Sequence, residues 1–134
     1  FKVRALTAGK NISLLVEQAK KLNPEFVAIA DGSLLEDLKS ALTGTSIKCG
    51  AGESAIIEAA SMNVDITVAA IVGFAGLKPV LTAIRHAKTV AIANKEPLVA
   101  AGGKPKNLKE ARRMLKKLSS LPQAAHSARL PLNK

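Results

Sequence analysis

The sequence predicts an α/β fold: a doubly wound, mostly parallel sheet with helices on both faces. Three observations carry this. Apolar residues make up 48% of the 134 residues but aromatics only 2%, so the core is aliphatic, as suits parallel strands lying under helices. Short apolar runs alternate with longer segments of helical period along the first 93 residues, with short connections between them. The connections carry Gly, Asn and Asp, the residues that turn a chain or cap a helix. At this length the chain is one domain, large enough for a real core.

The elements follow in order. Val3-Arg4-Ala5-Leu6 reads as a strand. Residues 11–22 read as a helix, with Leu14, Leu15, Ala19 and Leu22 near helical spacing. Residues 26–30 form the next strand. Asp31-Gly32 then turns the chain, and Ser33 with Glu36 has the spacing of a capping box for a helix ending near Leu42. Ile47-Lys48-Cys49 is a short strand, broken by Gly50 and Gly52 before a helix over residues 53–62. Residues 65–72 form a strongly apolar strand that stops at Gly73. A helix over residues 77–87 leads to a last strand over residues 89–93. Right-handed crossovers place the carboxyl ends of all these strands on one edge, where ligands bind in open α/β sheets.

The formal charge of +10 is unevenly distributed. Residues 1–101 carry eleven Lys/Arg against nine Asp/Glu, whereas residues 102–134 carry nine against one. The basicity therefore belongs to the tail, and a block of like charge reads first as a solvated segment. Lys104-Pro105-Lys106 breaks the pattern, so a boundary is placed near residue 103, with residues 104–134 a basic tail, helical or irregular. Asn107 has the position to cap a helix carrying Leu108, Ala111, Met114, Leu115 and Leu118 on one face. The single cysteine, Cys49, excludes an intrachain disulfide and a Cys-rich metal site, and a reducing, cytoplasmic setting is expected. The longest apolar run, residues 68–77, is interrupted by Gly73 and Gly76 and is too short to span a bilayer, so no membrane partner is expected.

Three turns carry candidate chemistry. In Ala8-Gly9-Lys10-Asn11 a strand turns into a helix; Gly9 allows close backbone approach, Lys10 is a cation and Asn11 an amide beside a helix N-terminus that favours anions. A cation at such a turn accommodates a ribose 2′-phosphate and so favours NADP, although taken alone the tetrapeptide reads first as a plain glycine turn with an Asn cap. In Asn94-Lys95-Glu96 an amide, an ammonium and a carboxylate sit together after a buried strand, which costs stability unless they are solvated or meet a ligand. The small residues from Ala69 to Gly76 allow a flat ligand near the backbone, or simply tight helix–sheet packing. Gly50-Ala51-Gly52-Glu53 lacks the Lys-Ser/Thr of a P-loop and reads as structural. His86 has the place of a helix C-terminal residue, and Cys49 that of a buried thiol; no nucleophile–base pair can be assembled.

Taken in order, Val3-Arg4-Ala5-Leu6-Thr7-Ala8-Gly9-Lys10-Asn11, Gly50-Ala51-Gly52-Glu53, Ala69 through Gly76 and Ala91 through Val99 resemble the 1-deoxy-D-xylulose 5-phosphate reductoisomerase family over roughly residues 1–102. The resemblance implies a Rossmann-like NADPH-binding domain over residues 1–103. It also implies a divalent metal (Mg or Mn), a sugar-phosphate substrate and a place in non-mevalonate isoprenoid synthesis. Family members isomerise the carbon skeleton of 1-deoxy-D-xylulose 5-phosphate and reduce the product to 2-C-methyl-D-erythritol 4-phosphate. Carried over by position, Gly9, Lys10 and Asn11 hold the adenosine phosphate end of NADPH, Asn94 and Glu96 lie near its reactive end, and Lys95 meets the substrate.

The departures set further expectations. The family's first glycine-rich turn, Gly-Ser-Thr-Gly-Ser-Ile-Gly, belongs ahead of Phe1, so the sheet is expected to lack its first βα unit. Leu121-Pro122-Gln123-Ala124-Ala125-His126-Ser127-Ala128 echoes the family's metal-binding segment without its carboxylates, and alanine cannot ligate a hard cation. The expected protein is thus an enzyme fragment without turnover as it stands and without the family's homodimer. The alternative is a non-catalytic remnant whose basic tail binds nucleic acid or an anionic surface.

Overall fold

A computed structural model describes residues 1–93 and Arg113. The element order is β1 (Ala5–Ala8), α1 (Ile12–Leu22), β2 (Phe26–Ile29), a 3-10 turn (Gly32–Leu34), α2 (Leu35–Ala41), β3 (Lys48–Ala51), α3 (Glu53–Ala60), β4 (Val64–Ala69), a second 3-10 turn (Phe74–Gly76), α4 (Leu77–His86) and β5 (Ala87–Ile92). The α/β alternation read from the sequence is therefore present. The expected boundary near residue 103 and the helix over residues 107–118 lie outside the described residues, save Arg113, which is helical and exposed.

The strands form two parallel sheets, β1-β2-β3 and β4-β5. The first is covered on both faces. Val27 and Ile29 point to one side and pack with Leu15, Ala19, Leu38 and Leu42 of α1 and α2. Phe26 and Ala28 point to the other and pack with Ala55, Ile56 and Ala59 of α3. This is the period-2 alternation of a strand buried from both sides. Among the described residues the second sheet is covered on one face: Ala69 and Ile92 pack with Val80 and Leu81 of α4. On its other face Ile66 is 50% and Val68 68% exposed, beside their exposed partners Thr89 and Ala91.

The two sheets run in the same direction. At their amino ends the Arg4 guanidinium, just before β1, donates to the Asn63 carbonyl, just before β4, at 3.0 Å. At their carboxyl ends Lys78 in the first turn of α4 meets Glu53 at the start of α3 at 2.6 Å. Helix α3 packs on β1, β2, β3 and α4, and so bridges the two. Among the described residues neither β1 nor β4 has a hydrogen-bonded strand on its second side.

Several boundaries differ from the sequence reading, each for a physical reason. The first strand begins at Ala5 rather than Val3 because Arg4 is committed elsewhere. Its carbonyl accepts from the Glu25 and Phe26 amides, and its guanidinium grips the Glu25 carboxylate at 2.6 and 3.0 Å. The capping box does not form. Asp31 takes the cap instead, accepting from the Ser33 amide at 3.0 Å and the Ser33 hydroxyl at 2.6 Å, while Glu36 pairs with Lys39 at 2.9 Å. An Asx cap two residues away closes a tighter ring than the Ser–Glu box and wins locally. Gly50 does not break β3 but lies within it. A Cβ there would come within 2.8 Å of the Ala55 Cβ and 3.2 Å of the Phe26 ring, so only glycine lets α3 lie this close to the sheet. The fourth strand stops at Ala69, short of the expected Val72.

Candidate functional site

Along the carboxyl edge, backbone hydrogen bonds zip successive strand ends together. The Ala30 amide donates to Ala8 and the Asp31 amide to Gly9, at 2.8 and 3.1 Å. The Gly52 amide donates to Ile29 at 2.8 Å, and in the second sheet the Ala93 amide donates to Ala69 at 3.0 Å. The turns after β1, β2 and β3 therefore share one rim, and the Lys78–Glu53 pair brings the turn after β4 to the same side.

At the centre of that rim lies Gly9-Lys10-Asn11. The Asn11 side chain accepts from the Leu14 amide at 3.0 Å, the N-cap of an 11-residue helix. Its oxygen is spent on the cap, and its NH₂ remains free to donate. Lys10 is exposed and makes no ion pair with any described residue. Gly9 contrasts with the glycines of the core. It has no positive φ, and a Cβ built on it meets nothing within 4 Å. Neither backbone conformation nor packing among the described residues requires a glycine there, whereas packing does at Gly50 and at Gly76, whose Cβ would fall 2.5 Å from the Ile71 carbonyl oxygen. The small-residue run from Ala69 is thus, at Gly76, close packing.

Asp31 and Gly32 face this turn from the next strand. The sequence reading gave them a turn and no chemistry. Hydrogen bonds from the Ser33 hydroxyl and amide hold the Asp31 carboxyl below the usual carboxylate range, against some burial and with help from the charge of Lys10. A Cβ at Gly32, like one at Gly9, meets nothing within 4 Å. An acidic residue directly beyond the second strand of a parallel pair was the available signal.

Of the other singled-out residues, His86 closes α4 as expected. Cys49 is half-buried, and burial pushes its thiol up, so it stays protonated at neutral pH and is no nucleophile. Asn94, Lys95 and Glu96 lie outside the described residues. Among the described residues no group of three or more His, Cys, Asp or Glu is placed to hold a metal ion. No described helix is long and apolar enough to cross a membrane. A depression of about 490 Å³ opens at the opposite, amino edge, between Lys2, Glu25, Lys48 and Glu58. Its charges are of mixed sign and it sits away from the edge at which parallel sheets bind ligands.

Comparison with known proteins gives the rim a context. The sequence profile of 1-deoxy-D-xylulose 5-phosphate reductoisomerase matches residues 1–102. The reductoisomerases of Zymomonas mobilis and Rhodopseudomonas palustris are each 54% identical to this chain, over 103 and 102 residues, or 77% and 76% of it. The chain spans about a quarter of the length of these relatives, 26% and 25%. The solved Zymomonas mobilis enzyme, described in complex with NADPH, superimposes with a TM-score of 0.74 over 77% of this chain and 27% of its own. A second reductoisomerase structure, with NADPH, fosmidomycin and magnesium, is 31% identical and has a TM-score of 0.73, covering 88% of this chain and 28% of its own.

Proposed function

The chain belongs to the 1-deoxy-D-xylulose 5-phosphate reductoisomerase family, and from that premise we propose that its body is the portion of such an enzyme that holds NADPH, with Gly9, Lys10 and Asn11 at the adenosine phosphate end. The observation that carries the reading is a glycine that packing among the described residues does not require, next to a cation that makes no ion pair with any described residue, at the mouth of α1. An open Gly9 lets a ribose phosphate approach the backbone. Lys10 then supplies charge, the Asn11 NH₂ a hydrogen bond, and the helix N-terminus an added positive potential. Bound there, NADPH supplies hydride for the reductive half of the family's reaction. The chain's own part is to bind and orient it.

The remaining assignments complete the proposal. Asn94 and Glu96 contact the cofactor near its reactive end, and Lys95 binds the sugar phosphate. Among the described residues no group of three or more His, Cys, Asp or Glu is placed to hold the divalent metal of the family. The whole reaction, from 1-deoxy-D-xylulose 5-phosphate to 2-C-methyl-D-erythritol 4-phosphate, is assigned to the longer enzymes that this chain matches over about a quarter of their length, and the chain alone is not expected to turn over.

Titration of the chain with NADPH and NADH, followed by calorimetry, tests this. NADPH is expected to bind the more tightly. Lys10→Glu should raise the Kd for NADPH about ten- to a hundredfold while leaving NADH within about threefold, as expected for replacing an attractive charge by a repulsive one at a partly solvated site. Equal binding of both nucleotides, or an indifferent Lys10→Glu, removes Lys10 from the site.

A further inference from the structure

The turn after β1 and the turn after β2 form one cradle. The Gly9 carbonyl accepts from the Asp31 amide at 3.1 Å, and both turns carry a glycine, Gly9 and Gly32, whose missing side chain leaves open space. The cradle holds two opposite charges. Lys10 stands exposed on one turn, and Asp31 on the other is fixed in place by its two hydrogen bonds from Ser33. Neither charge is consumed by a mutual ion pair.

We propose that Asp31 is a specificity-determining residue of this site: its carboxylate faces the same ribose position as Lys10 and tempers the site's preference for a 2′-phosphorylated nucleotide. The inference rests on the NADPH reading above. A 2′-phosphate placed against Lys10 lies within the field of Asp31 as well, and the two act with opposite sign. Hydrogen bonds from Ser33 are the main cause that lowers the Asp31 carboxyl, and the charge of Lys10 adds the smallest part. An unphosphorylated ribose feels the reverse balance, because a carboxylate accepts a hydrogen bond from a hydroxyl where it repels a phosphate. Lys10 and Asp31 together therefore set a ratio, where Lys10 alone would set an absolute preference. Asp31 touches neither a reacting atom nor, by this argument, the reactive end of the cofactor.

The probes are adenosine 2′,5′-bisphosphate and adenosine 5′-monophosphate, titrated calorimetrically into the full chain at low salt. Asp31→Asn keeps the oxygen that caps the 3-10 turn and removes only the charge, so the fold should be retained. It should lower the Kd for the bisphosphate about three- to tenfold and leave that for the monophosphate unchanged or weaker. Asp31→Ser, a second short cap, should do the same, and the gain should shrink as salt screens the site. A merely structural role would move both nucleotides alike, so a ratio unchanged in both variants overturns the proposal while leaving the site intact. Failure of the unsubstituted chain to prefer the bisphosphate would instead overturn the NADPH reading, and this inference with it. A cap lost in both variants would show as altered amide spectra with both nucleotides weakened, which counts against a charge role.

Discussion

The two sheets are built from the same kinds of residue and differ in cover. In β1-β2-β3 the central strand β2 is buried on both faces and both edges, and its four residues are all buried. In β4-β5 one face meets α4 and the other leaves Ile66 and Val68 in water. Both Val64–Ala69 and Phe26–Ile29 are rich in β-branched residues, although the first also carries Asp65 and Thr67, so β-branched content alone does not separate them. What separates them is whether a helix and a neighbouring strand lie within reach. Burial belongs to the assembly, and local propensity only permits it.

The contrast can be broken by substitution. Leu38→Ala, at a fully buried position between α2 and β2, should lower unfolding free energy by about 2–5 kcal/mol in urea titrations. Val68→Ala, on the bare face, should stay within about 0.5 kcal/mol. Equal effects would mean that the open face is covered in solution. Gly50→Ala should cost about 1–3 kcal/mol by forcing α3 away from Phe26, whereas Gly9→Ala should leave stability unchanged and weaken nucleotide binding alone. Native-state hydrogen exchange sharpens the comparison further: amides of β2 should be protected to the limit of global unfolding, and those of β4 and β5 should exchange through smaller openings.

The smallest effect concerns the clamp that joins the sheets at their amino ends. Hydrogen bonds from Arg4, then weaker ones from Lys2, hold the Glu25 carboxyl below its ordinary range against partial desolvation, and raise the Arg4 guanidinium correspondingly. Because Glu25 is depressed in the folded state, its contribution is fully present above the ordinary carboxylate range near pH 4.3 and is lost as pH falls through the lower folded value. Arg4→Ala should therefore lower the melting temperature slightly at neutral pH. The difference from the parent chain should fade in strong acid. A difference that persists there would assign the effect to the Asn63 carbonyl instead.

Much of this architecture was legible in the sequence, because parallel strands under helices leave short aliphatic runs and helical periods that survive without tertiary information. Helix α1 and its Asn11 cap were read directly, since the signal lies within four residues. The errors came where two local solutions competed. Ser33 and Glu36 have capping-box spacing, but Asp31 reaches the same amide sooner. Arg4 reads as strand until Glu25 and Asn63, far along the chain, claim its side chain. At the rim, Gly9 and Lys10 stand out in the sequence by their motif. Asp31 and Gly32 were passed over because only the pairing of β1 with β2 brings their turn against Gly9.

The second sides of β1 and β4, which have no hydrogen-bonded strand among the described residues, have a practical consequence for anyone handling the chain. Such strand edges, beside exposed Ile66 and Val68, offer a template that a concentrated solution will fill from its own population. Purification yields and shelf life should fall steeply with concentration, and light scattering should rise before any loss of helical signal.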